Sequence, residues 1–212
     1  IKNADKVYVD TYTIEFPYDF SEITSQFRNK KFIPAGREFV EGLGFLEEAK
    51  NKNIVLLVYG SPLVATTHSV IIKEAMGKKL KIKIIHAGSI LDAVAETGLQ
   101  PYKFGKTTSL PNFPADSYID VVRENLKLGS HTLILVDIGL KFEDAMNRLD
   151  KDSKNKKVKM NKVVVCERLG LKDSHIYHGS IKHLKSMKVT APFSIIIPGK
   201  LHFVEKEFLN SV

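Results

Sequence analysis

The feature that most constrains the fold is an alternation along the chain between short apolar runs rich in Val and Ile and stretches with helical spacing. KVYVD (6–10), IVLLVY (54–59), KIKIIH (81–86), HTLILVDI (131–138), KVVVCE (162–167) and SIII (194–197) fall far short of the roughly 20 apolar residues of a membrane helix. Near-continuous apolar runs of this length suit strands buried on both faces, which need helices packed on the sheet. The pattern therefore predicts an α/β fold. Helices are expected at 37–51, at 66–77 with Thr66 or Thr67 as the cap, and at 89–96, 116–128, 145–149, 179–187 and 202–209. A further strand is expected at 174–178. The polar run DKDSKNKKVK (150–159) reads as a solvated loop.

The two halves differ in their pattern. Up to about residue 100 strands and helices alternate as in a parallel sheet, whereas the later residues mix hairpin-like pairs with helices, as in a mixed sheet. The expected organisation is an N-terminal α/β domain at 1–100 and a C-terminal α/β domain with a mixed sheet at 101–212, joined near Pro101 and Pro111.

Charge and cysteine usage narrow the setting. Lys and Arg number 32 against 24 Asp and Glu, a formal charge of +8, so an acidic macromolecular partner has to be considered. The lysines at 78–83 and 151–162 lack interleaved aromatic residues, as a base-stacking surface would require, so nucleic acid is not needed to explain them. Cys166 is the only cysteine, which excludes an internal disulfide and favours a reducing, cytoplasmic setting. Within an apolar strand its thiol reads as buried and inert. His175, His178 and His183 are not completed by a recognisable ligand set, so no metal is expected. The chain opens at Ile1 without a signal-peptide pattern, and a missing beginning is the expectation.

Two turns stand out. GSPLVATTH (60–68) follows a buried run and leads into a helix, and HAGSI (86–90) repeats that arrangement one strand later. Open α/β sheets bind ligands at such positions, beyond the carboxyl ends of their strands. Each turn alone also reads as an ordinary strand-to-helix junction, with Ser89 a plain cap. No Walker sequence and no G-x-G-x-x-G is present, which removes P-loop phosphoryl transfer.

Taken together, GSPLVATTH, HAGSI, TGLQPYKFGKTTSLP (97–111), HTLILVDI, VVVCERLG (163–170) and IIIPGKLHFVEKEFL (195–209) resemble the diphthine synthase family, in that order, from about Ala4 to Leu209. The resemblance implies a tetrapyrrole-methylase-like, class III fold, with two α/β domains and S-adenosylmethionine in a cleft between them. It implies a homodimer and a methyltransferase acting on the amino group of a modified histidine, the diphthamide precursor, of translation elongation factor 2. S-adenosylhomocysteine would be the product. The resemblance also implies an opening strand and a glycine-rich loop, so the expectation is that they precede Ile1 and that the chain is truncated, the other reading being a sharp departure from the family.

Position by position, the resemblance places the cofactor at Ser61, Val64, Ser89, Ile90, Val136, Leu169 and Phe193. Ser61 stands where the family's G-D-P-x-V carries Asp, and Phe193 where relatives often have His, exchanging a polar contact for packing. Lys103, Lys106, Arg168 and Lys200 are the cations considered for the substrate carboxylate or an acidic face of the factor. No side chain is singled out as a general base. The alternatives are a small-molecule methylase of the tetrapyrrole type and a non-enzymatic basic domain that binds nucleic acid or the ribosome.

Overall fold

A computed structural model describes every residue of the chain except Ile14. It divides into two compact units, Ile1–Ser89 and Ile90–Val212, so the expected boundary at residues 100–101 falls inside the second unit.

The first unit contains β1 (Lys6–Asp10), α1 (Ser21–Thr24), β2 (Phe32–Ala35), α2 (Arg37–Gly42), α3 (Phe45–Glu48), β3 (Ile54–Leu57) and α4 (Ser69–Gly77). Its sheet is parallel throughout, ordered β2-β1-β3, with Val7 opposite both Phe32 and Val55. Tyr8, Ala35, Val40, Phe45, Leu46 and Ala75 form the core of this unit. The sequence pattern does not predict β2, because FIPA is brief and carries a proline, nor the one-turn α1.

Three expectations fail here, each for a local reason. The helix expected at 37–51 is broken in two, because Leu43 takes a left-handed conformation (φ 57°) between Gly42 and Gly44 and ends α2. Neither threonine caps α4. His68 is the cap residue, while the Thr66 hydroxyl turns back to the Pro62 carbonyl (2.9 Å) and that of Thr67 meets the Tyr12 hydroxyl (3.2 Å). The run at 81–86 is not a strand: among the described residues β3 pairs only with β1, and nothing pairs with 81–86. A strand exists by its ladder, so apolar β-branched composition without a partner leaves Ile82, Ile84 and Ile85 exposed.

The second unit contains α5 (Ile90–Ala93), β4 (Thr108–Leu110), α6 (Ser117–Lys127), β5 (Thr132–Val136), α7 (Phe142–Asn155), β6 (Val163–Glu167), β7 (His175–Gly179), α8 (Ile181–Leu184), β8 (Phe193–Ile197) and α9 (Phe203–Leu209). The sheet is mixed, ordered β4-β5-β8-β6-β7, and only β4 and β5 run parallel. Its central strands are buried on both faces, as their continuous apolar runs require. Val163, Val165, Ile195 and Ile197 face a core shared with α6, α7 and α8. Val164, Cys166 and Ile196 face the other way, towards Val94, Leu99 and Leu209. Burial pushes the Cys166 thiol up to about 12, an inert group as expected.

The loop expected at 150–159 is helical as far as Asn155. Phe142, Ala145, Met146, Leu149 and Ser153 are buried along one stripe of α7, and Lys154 pairs with Asp150 (2.6 Å) on the wet side. A helix with so narrow a buried stripe reads as a loop when judged by its polarity.

Candidate functional site

In the first unit the chemistry collects where β1 and β3 end. Leu57 closes β3, and Gly60, at φ 77°, turns the chain into residues 61–68 before α4 begins. A Cβ on Gly60 would lie 3.4 Å from the Gly88 carbonyl oxygen, so the two sequence-predicted turns are neighbours. Ser61 is buried and its carbonyl accepts from the Val64 amide (3.2 Å), closing a tight turn. Val64 and Ser89 are half-buried.

Beneath the turn lies a charged group that periodicity had no means of finding. His68 and Asp10 are 4% and 0% exposed, and His68 Nε2 lies 3.1 Å from Asp10 Oδ2. The contact is an ion pair off the line of the N–H rather than a well-aligned hydrogen bond. His68 Nδ1 reaches the Pro62 carbonyl at 3.0 Å. Asp10 accepts from the amides of Tyr12 (2.9 Å) and Thr13 (3.1 Å) and from the Thr13 hydroxyl (2.7 Å). Burial opposes the Asp10 charge, but these donors and His68 outweigh it and hold the carboxyl below its ordinary value. Burial opposes the His68 charge too, and the Asp10 and Pro62 contacts outweigh it, so the imidazole pKa is raised. In the sequence His68 is a lone histidine at the end of GSPLVATTH. Its partner is distant in sequence and only the fold joins them.

In the second unit Val136, Phe193 and Leu169 gather at one end of the sheet. The register sets Leu135 opposite Ser194 and Glu167 opposite Phe193, so β5 ends, β8 begins and β6 ends side by side, with Leu169 two residues beyond β6. Phe193 packs edge-on against Phe142, ring centroids 5.3 Å apart, which is the packing role expected of it. Ile90 opens α5 and packs against the cluster that contains Val164 and Cys166. Ser61, Val64 and Ser89 thus belong to the first unit, and Ile90, Val136, Leu169 and Phe193 to the second.

The strings TGLQPYKFG, HTLILVDI and PGKLHFVE meet at Glu205, a fully buried carboxylate. It accepts from the Gln100 amide (2.9 Å), the His202 amide (2.6 Å), His131 Nε2 (3.0 Å) and the Lys103 ammonium. Against the cost of burial these donors hold its carboxyl down to about 2. His202 and Glu205 are also the capping box of α9. His131 Nδ1 accepts from the Gly199 amide (2.9 Å), so this ring is neutral, and burial lowers its pKa despite Glu205.

Of the four cations considered for substrate, Lys103 is committed to Glu205 and to the Lys200 carbonyl (2.7 Å). Lys106 pairs with Glu124 (2.9 Å) and Arg168 with Asp173. His178 Nδ1 meets the Leu209 carbonyl (2.6 Å), and the His175 ring stacks on Tyr177.

Residues 1–185 match the family of Tetrapyrrole (Corrin/Porphyrin) Methylases. A protein of Methanococcus maripaludis (strain C6) named diphthine synthase is 40% identical over 226 aligned positions, which cover 99% of this chain and 89% of that protein. The diphthine synthase of Methanocaldococcus jannaschii is 39% identical over 99% of this chain and 89% of its own length. A crystal structure of diphthine synthase superposes with a TM-score of 0.90 at 32% identity, covering 99% of this chain and 86% of that one.

Proposed function

This chain belongs to the diphthine synthases, within the tetrapyrrole methylases, and is an S-adenosylmethionine-dependent methyltransferase; on that premise we propose which residues hold the cofactor and what is methylated. Ser61, Val64, Ser89, Ile90, Val136, Leu169 and Phe193 hold it. The proposed set offers two hydroxyls, from Ser61 and Ser89, and five apolar side chains. It brings no carboxylate to an ammonium or sulfonium, because Ser61 stands where the family has Asp.

When bound, S-adenosylmethionine supplies a methyl group made electrophilic by its sulfonium. The chain's share of the work is to bind, align and dry. An amine attacks only through its lone pair, so it must arrive neutral, and in-line alignment at the methyl carbon with water excluded supplies most of the rate. Apolar Val64, Ile90, Val136, Leu169 and Phe193 suit such a surface, and the turn at 60–68 sets where Ser61 and Val64 sit. The acceptor is the amino group of the modified histidine of elongation factor 2. The protein works as a cytoplasmic homodimer; no helix among the described residues is long and apolar enough to cross a membrane.

The observation that carries this reading is the match to diphthine synthases along 99% of the chain, with GSPLVATTH lying at the carboxyl ends of a parallel sheet. The test has two stages. Calorimetric titration of S-adenosylhomocysteine should show saturable binding that Val64→Trp abolishes. Mass spectrometry should then show added methyl groups on elongation factor 2 that carries the modified histidine, and none on the unmodified factor. Absence of binding overturns the cofactor site, and binding without methylation overturns the acceptor.

A further inference from the structure

His68 ties the strand beneath the proposed cofactor turn to the turn itself. One ring nitrogen faces the Pro62 carbonyl at 3.0 Å and the other a carboxylate oxygen of Asp10 at 3.1 Å. A carbonyl oxygen only accepts, so Nδ1 must carry a proton. A bare lone pair on Nε2 would face an anion in a buried site, so Nε2 must carry one as well. Both nitrogens protonated means an imidazolium. The carbonyl it grips belongs to Pro62, which lies between Ser61 and Val64, and Thr66 donates to the same oxygen at 2.9 Å. Asp10, in turn, is held by the amides and hydroxyl that follow β1.

We infer that His68 is a positioning residue for the cofactor turn, acting as an imidazolium that ties the Pro62 carbonyl to the Asp10 carboxylate at the end of β1. The inference rests on the proposed cofactor site and adds a proton dependence to it. Besides Asp10, the groups around His68 are Tyr12, whose ring meets the imidazole edge-on at 6.3 Å, and Arg37, which lies over that Tyr12 ring at 5.6 Å. Among these neighbours, His68 is the group whose proton sets the tie. Its pKa is raised, so the tie is complete below about 6.5 and is released as pH rises through the higher folded value.

The two amide replacements separate the ring's two contacts. Asn mimics Nδ1 and keeps a donor for Pro62, while Gln mimics Nε2 and keeps one for Asp10. S-adenosylhomocysteine is titrated calorimetrically into the full-length protein and both variants from pH 5.5 to 8.5, with circular dichroism confirming the fold. Wild-type affinity should hold steady at acid pH and fall about tenfold across the range. His68→Asn and His68→Gln each keep one end of the tie and break the other, so both should bind about tenfold more weakly than wild type at pH 6 and lose its pH dependence. A shared pH profile for wild type and His68→Asn, or wild-type affinity in His68→Gln, overturns the inference while leaving the cofactor site standing. Failure of wild type to bind at any pH overturns the cofactor site and this inference with it. Should both variants unfold, ring-nitrogen NMR of the wild type decides: two protonated nitrogens on His68 at pH 7 support the inference, and one overturns it.

Discussion

Each unit buries a histidine against a carboxylate, and the two rings are in opposite charge states. His68 faces Asp10 and the Pro62 carbonyl, two acceptors, and is an imidazolium. His131 faces Glu205 and the Gly199 amide, one acceptor and one donor, and is neutral. Burial is similar, and the carboxylate is present in both. The partner of the second nitrogen decides. Glu205 remains charged without help from an imidazolium because Lys103 supplies the cation, whereas among the described residues Asp10 pairs with no lysine and depends on His68. The first pair braces a turn that holds proposed cofactor residues, and the second locks together TGLQPYKFG, HTLILVDI and PGKLHFVE.

The strongest way to break the comparison is to remove the second unit's hub. Glu205→Ala leaves Lys103, His131 and two amides without their acceptor, and urea unfolding should show a loss of about 3–5 kcal/mol. Gly199→Ala comes next. A Cβ there would run into the carbonyl oxygens of Gly129 and Ser130, which are backbone and cannot swing aside, so about 1–3 kcal/mol should be lost in the same assay.

The pH response sharpens the contrast, because the two histidines act with opposite sign. The raised pKa of His68 makes the folded state hold the extra proton, so its contribution to stability is complete below about 6.5 and declines above it. The lowered pKa of His131 makes the unfolded state hold the extra proton, so stability falls as pH drops below about 6.5. Unfolding measured from pH 5 to 8.5 should therefore flatten at its alkaline end in His68→Asn and at its acid end in His131→Asn. The smallest expected effect is that of Lys106→Ala, which removes an exposed pair with Glu124 and should shift stability by less than about 0.5 kcal/mol.

The fold class was legible because burial on both faces writes itself as continuous apolar runs, and VVVC and III are buried where that rule places them. The rule misreads elements whose signal is one-sided or borrowed. Helix α7 keeps only a narrow buried stripe, and residues 81–86 have a strand's composition with no strand beside them. The resemblance named the turn at 60–68, yet said nothing of what holds it. Asp10 reads only as the end of an apolar strand, and Glu205 only as one acidic residue of a closing helix.

By itself, the sequence determined an α/β chain with a parallel first sheet and a mixed second one, a buried inert Cys166 and the family to which the chain belongs, because periodicity and local strings are properties of neighbours along the backbone. Only the tertiary structure decided which histidine is charged, that Lys103 is bound to Glu205, and that Pro62 is tied through His68 to Asp10. Those outcomes turn on donors and acceptors within about 3 Å in space. The folded chain brings them together from positions far apart in sequence.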